Sequence, residues 1–143
     1  MQKIPDDRTY TETHEWVKID AEIVRMGVTA PLLESLGPLV SLELPRPDYE
    51  MMVNIAIGTV ESDEAVHDIM PPADAGVLEV NTDLEWNLDT LADDPYGAGW
   101  LMKIKVHDPD QLRDLLTPQA YCNHCEEVWS DQKVKIEEVA HEQ

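Results

Sequence analysis

The sequence predicts a mainly β domain, a sandwich or flattened barrel of short strands closed by a helical C-terminal segment. Three observations lead there. Short runs of alternating polar and apolar residues recur from His14 to Val106. Glycine and proline interrupt them every few residues. Sustained helical spacing begins only after Asp108.

Taken in order, His14-Glu15-Trp16-Val17-Lys18-Ile19 alternates as a strand, and Ile23–Val28 follows it after a short acidic turn. Ala30–Gly37 reads as one or two helical turns, with Thr29 as N-cap, Pro31 early in the helix and Gly37 closing it. Leu39–Leu44 alternates again and stops at Pro45. Met52–Val60 is the most strand-like run by composition. Ala65–Met70 is the next strand, and the tight reversal Glu61-Ser62-Asp63-Glu64 makes the pair a hairpin with an acidic tip. Val77–Asn81 and Gly99–Val106 complete the strands. Asp108-Pro109 and Thr117-Pro118 each pair an N-cap with a proline at the first helical position. Leu112, Leu115 and Leu116 would form one apolar face, and Tyr121, Cys125, Val128, Gln132, Ile136 and Val139 a second. The polar last dozen residues are expected to protrude or fray.

The chain has 143 residues, and 43% of them are apolar, enough for a core. Thirty acidic residues against ten basic give a net charge of −20. That balance argues against non-specific nucleic-acid or anionic-membrane binding, both of which need cationic surface. No apolar run approaches the roughly 20 residues of a membrane span. The opening residues are not expected to be a secretory leader. Two cysteines are too few for a disulfide scaffold and point to a reducing, cytoplasmic setting. The charge is also unevenly placed. Residues 47–102 hold 13 acidic side chains and no lysine or arginine. Such a stretch serves either as a solvated face or as a docking surface for a cationic partner.

Four ordered segments together resemble the glycine cleavage H-protein family. Tyr10-Thr11-Glu12-Thr13-His14-Glu15-Trp16 is similar to the opening of its members. Gly27-Val28-Thr29 with Leu36-Gly37 matches the next strand and helix. Asp94-Pro95-Tyr96-Gly97-Ala98-Gly99-Trp100-Leu101 resembles a late motif, and Val60-Glu61-Ser62-Asp63-Glu64-Ala65 falls in register with the family's hairpin. The resemblance covers about residues 5–127 of one domain, 1–143, with 128–143 as a polar helical extension. It implies a lipoyl-domain-like fold of two small antiparallel sheets with a C-terminal helix alongside. It also implies a carrier bearing lipoate as an amide on one hairpin lysine, which shuttles an aminomethyl group among the glycine cleavage enzymes.

At that position this chain has Glu64. A carboxylate cannot accept the acyl group as an amide, because the bond needs a nucleophilic amine. The nearest lysines in sequence are Lys18 and Lys103. No covalent lipoate is therefore expected; Glu61, Ser62, Asp63 and Glu64 remain the candidate site residues, and Glu61, Asp63, Glu64 and Asp68 make the tip anionic. Leu88-Asp89-Thr90-Leu91-Ala92 stands where the family's Pro-Glu-Leu-Val-Asn run helps line the cleft for the loaded arm. The expected role is a binding, scaffold or regulatory partner of glycine cleavage or lipoate-handling enzymes.

Two alternatives accompany that expectation. One is noncovalent carriage of lipoyl or aminomethyl groups. The other is thiol redox or metal chemistry at Cys122-Asn123-His124-Cys125, where Cys122 and Cys125 lie one helical turn apart and the helix dipole favours thiolate. With His124 these give two or three zinc ligands, whereas a structural site needs four, so a second protomer would have to complete it. The competing reading packs Cys125 in the core and leaves Cys122 a small surface residue. His14 and Glu15, adjacent on a strand, point to opposite faces, and with Trp16 they are read as packing and surface hydrogen-bonding groups. His67 lies near the hairpin tip. No Ser–His–Asp order, phosphate-cradling glycine loop or HExxH helix is present, and no enzymatic activity of the chain's own is expected.

Overall fold

A computed structural model describes residues 4–21 and 23–141, with side chains as far as residue 129. Two antiparallel sheets form the body. In the first, β1 (Thr9–Tyr10), β2 (Glu15–Asp20), β3 (Ile23–Val28), β5 (Glu50–Met51), β8 (Ala75–Val80) and β9 (Met102–Val106) lie in the order β1-β2-β3-β9-β8-β5. In the second, β4 (Leu39–Glu43), β6 (Gly58–Ser62) and β7 (Val66–Ile69) lie in the order β4-β6-β7. Neither sheet closes into a barrel.

Inward-facing residues of both sheets meet in one core. Val17, Met26, Val77 and Ile104 from the first pack with Leu42, Val60 and Ile69 from the second. Two helices add to it. The first is α1 (Ala30–Leu36), whose Leu32, Leu33 and Leu36 are buried, and the second is α2 (Leu88–Asp93), which contributes Leu91. Each such side chain contributes about 1.5–3 kcal/mol on burial. The caps of α1 follow the sequence reading: Thr29 Oγ1 accepts from the Leu32 amide, and Gly37 closes the helix at φ 81°, a conformation glycine adopts without steric cost.

A smaller cluster seats the C-terminal helix α3 (Pro118–His141) against β1 and β2. Tyr121 and Cys125 are buried beside Ile4, Tyr10 and Trp16, and the rings of Tyr10 and Tyr121 stack with centroids 4.7 Å apart. The chain before α3 crosses to Tyr10 in a backbone bridge, Tyr10 and Leu116 exchanging N–H···O bonds of 2.9 and 2.7 Å.

Three element expectations are corrected. Met52–Ile57 is not strand; only Gly58–Val60 of the expected run pairs, as the first part of β6. Met52, Val53 and Ile55 are exposed, Asn54 sits at φ 69°, and the Val53 amide donates to the Asp74 carboxylate at 2.9 Å rather than to a neighbouring strand. High β-propensity without a partner strand yields a loop. The segment after Asp108 is a single 3₁₀ turn, Pro109–Leu112, so Leu115 and Leu116 share no helical face with Leu112. Leu115 packs on the main core and Leu116 on the smaller cluster. On α3, Val128 is 43% exposed and its neighbour Trp129 packs inward instead. Gln132, Ile136, Val139 and the expected fraying of the last dozen residues lie outside the described side chains. Among the described residues no helix is long and apolar enough to cross a membrane.

Candidate functional site

The β6–β7 hairpin carries the predicted site residues. Its turn is closed by the Ser62 amide donating to the Ala65 carbonyl at 2.9 Å, while Ser62 Oγ accepts from the amides of Glu64 and Ala65 at 3.3 and 3.2 Å. Ser62 is buried by this role, whereas Asp63, Glu64 and Ala65 project into solvent. Glu61 turns back along the sheet, its carboxylate accepting from the Ser41 hydroxyl at 3.0 Å. The four residues share one turn, yet only Asp63 and Glu64 are presented outward.

The root of the hairpin is tied down by Glu15. This carboxylate is wholly buried, at 0% exposure. It accepts from the hydroxyls of Thr11 and Thr13 and from the Met70 amide at 3.2 Å, and His67 Nε2 lies 3.6 Å away. Trp16 is buried on the next position and donates its indole N–H to the Pro95 carbonyl at 3.0 Å. Glu15 and Trp16 are thus interior groups, not surface ones. The alternation Thr11, Thr13, Glu15 placed three polar side chains at every second residue, the one trace of this shell in the sequence.

His14 is not a strand residue as expected: it precedes β2 with φ 76° and reaches α3. Its Nδ1 is 2.8 Å from the Tyr121 hydroxyl, which in turn lies 2.6 Å from Thr29 Oγ1. The ring stacks on Trp129 at 4.9 Å, with His124 and His67 at 5.7 and 6.2 Å between centroids. Burial, reinforced by the neighbouring charges of His67 and His124, pulls the His14 pKa down to about 4. Burial likewise pushes the Tyr121 hydroxyl up. This meeting of three histidines from β7, α3 and the loop before β2 was invisible in the sequence, because they are separated by more than fifty residues each.

The Cys122–Cys125 segment is arranged for packing. Cys125 is buried, as the packing reading has it, and loss of solvent raises its thiol pKa, the reverse of the thiolate the redox alternative needs. His124 donates its Nε2–H to the Glu12 carbonyl at 2.9 Å. Among the described residues, no three or more His, Cys, Asp or Glu side chains are gathered to hold a metal ion.

The family profile described as glycine cleavage H-protein matches residues 8–128. The chain belongs to that family. A glycine cleavage system H protein of Rubrobacter xylanophilus is 39% identical over 127 residues, covering 89% of this chain and 98% of the relative. One from Trichormus variabilis is 42% identical over 117 residues, covering 82% and 90%. The crystal structure of a glycine cleavage system H protein from Mycobacterium marinum superposes with a TM-score of 0.77 at 38% identity, covering 84% of this chain and 97% of that one. Two antiparallel sheets, short helices and a C-terminal helix are therefore the glycine cleavage H-protein fold. Membership also agrees with the expectation that the chain has no enzymatic activity of its own.

Proposed function

We propose that this chain is a non-lipoylated H-protein-fold adaptor, a cytoplasmic binding or regulatory partner of glycine cleavage or lipoate-handling enzymes that presents its anionic hairpin tip to them. One observation carries the reading: the outward residue of the turn, where the family resemblance puts the lipoyl lysine, is the exposed carboxylate of Glu64. An amide to lipoate requires an amine to attack the activated acyl carbon, and a carboxylate supplies none. Between Arg46 and Lys103 the chain has no lysine to take its place. The turn itself keeps its closure through Ser62, so the platform persists while the acceptor is gone.

The recognition chemistry is then electrostatic. Asp63, Glu64 and the exposed Asp68 give a partner a negative knob on a turn held from behind by Glu15. Such a surface raises encounter rates with a cationic partner and does so less as salt increases. The whole domain acts as one carrier-shaped body that delivers no cargo.

Intact-mass measurement after co-expression with a lipoate ligase and lipoate tests the proposal. The unaltered chain is expected at its unmodified mass, and Glu64→Lys is expected to gain one lipoyl group. A lipoyl adduct on the unaltered chain would overturn the reading.

A further inference from the structure

A second surface lies at the root of the hairpin, away from the tip. An open groove of about 310 Å³ runs between the loop after β5, the segment after β7 and the crossing before α3. Met70, Pro71, Pro72, Leu115, Leu116 and Val53 make up the apolar part of its lining. Val53 belongs to a short exposed apolar loop, with Met52 59%, Val53 38% and Ile55 50% exposed. Three large apolar side chains within four residues are unusual on a surface as acidic as this one.

The groove is built from anchored pieces. On one side, Asp74 takes the Val53 amide at 2.9 Å and Gln111 Nε2 at 3.2 Å, while its own amide donates to Gln111 Oε1 at 2.9 Å. On the other, Leu116 is bonded in both directions to Tyr10. The walls thus stay open without collapsing on each other, and the exposed apolar loop is displayed rather than folded away. Its rim is anionic. Glu12 and Asp114 border it, and among the described residues no lysine or arginine does.

We propose that this groove docks an extended segment of a partner protein that places an apolar side chain against this apolar lining and lysine or arginine side chains against Glu12 and Asp114. Charge complementarity selects that occupant. A second copy of this chain, at −20, would bring like charge to the rim, and a nucleic acid would do the same. The proposal goes beyond the adaptor reading and does not depend on Glu64.

The test is titration of the isotopically labelled full chain, at near-physiological salt, with the peptide Lys-Leu-Lys-Leu-Lys and with the controls Lys-Ser-Lys-Ser-Lys and Glu-Leu-Glu-Leu-Glu. Saturable amide shifts are expected at Val53, Asn54, Met70, Leu115 and Leu116 with the first peptide alone. Val53→Asp and Asp114→Arg, both at exposed positions, are each expected to weaken it about tenfold. Shifts centred on Asp63 and Glu64, equal binding of either control, or unchanged affinity in both variants would overturn the proposal, as would self-association through this face.

Discussion

The two ends of the β6–β7 hairpin are held by opposite means. At the root, a buried carboxylate from β2 gathers two hydroxyls and the Met70 amide, and the Ile57 amide donates to the Ile69 carbonyl at 2.8 Å. At the tip, Ser62 alone closes the turn, through one backbone bond and its hydroxyl, and the residues beyond it are exposed. A charge inside the protein is tolerated only where every lone pair is engaged, and among the described residues no buried side-chain nitrogen or oxygen lacks a partner. A charge at the tip meets no such condition. Substitution at the root should therefore be costly and at the tip nearly free, so the fold can keep its shape whichever side chain the turn presents outward.

The strongest way to break the comparison is Glu15→Ala. It leaves the Met70 amide and the Thr11 and Thr13 hydroxyls without the buried acceptor they share and empties the space of a wholly buried side chain, at an expected cost of about 2–4 kcal/mol. Glu15→Gln keeps one acceptor oxygen and should lose less, about 1–2 kcal/mol. Urea unfolding midpoints of the two variants measure the difference. If Glu15→Ala unfolds with the unaltered chain, the root is not an anchor.

Next in size is the acid sensitivity of the His14 contact with α3. Its pKa is 6.5 when free and about 4 in the fold, so the native ring stays neutral while the unfolded chain takes up a proton. That contribution is intact above pH 6.5, is lost as pH falls toward 4, and loses nothing more below. With the ring partly open to solvent, the loss is about 1–2 kcal/mol. His67, His124 and Tyr121 face the ring, so unfolding midpoints between pH 7 and 4 should be compared with those of His14→Gln, which is expected to flatten this part of the profile.

Much of this architecture could be read from the chain, for reasons that particular residues make plain. The Thr29–Pro31–Gly37 frame of α1 is local chemistry, so adjacent residues were enough to place it. The acidic turn was legible because a tight hairpin is also local. Met52–Ile57 misled because apolar β-branched composition says nothing about whether a partner strand exists, and here Asp74, twenty-one residues away, took the Val53 amide. The Glu15 shell and the His14–His67–His124 meeting were hidden for the same reason. Each depends on contacts between residues far apart in sequence, and a buried carboxylate looks like any other glutamate until its donors are assembled around it.

Returning to the tip, Ser62→Ala removes the oxygen that accepts from the Glu64 and Ala65 amides but leaves the Ser62-to-Ala65 backbone bond in place. The expected cost is about 1 kcal/mol, smaller than at Glu15 because the freed amides are close enough to solvent to find water. Hydrogen exchange should quicken at Glu64 and Ala65 while Ile57 and Met70 stay protected. Equal acceleration at both ends would mean that the hairpin opens as a single unit.

The smallest effect belongs to Glu64→Lys, and its smallness is the sharpest statement of the comparison. Glu64 is exposed, its side chain forms no ion pair or hydrogen bond among the described residues, and only its backbone amide is engaged, by Ser62. Replacing it with lysine leaves that amide in place and puts a positive charge among Glu61, Asp63 and Asp68, a change that eases like-charge repulsion. Stability should move by no more than about 0.5 kcal/mol, toward the stable side. Thermal unfolding of Glu64→Lys beside the unaltered chain measures this. A destabilisation as large as that of Glu15→Ala would show that the carboxylate at the tip is part of the structure, and the hairpin's two ends would no longer differ in kind.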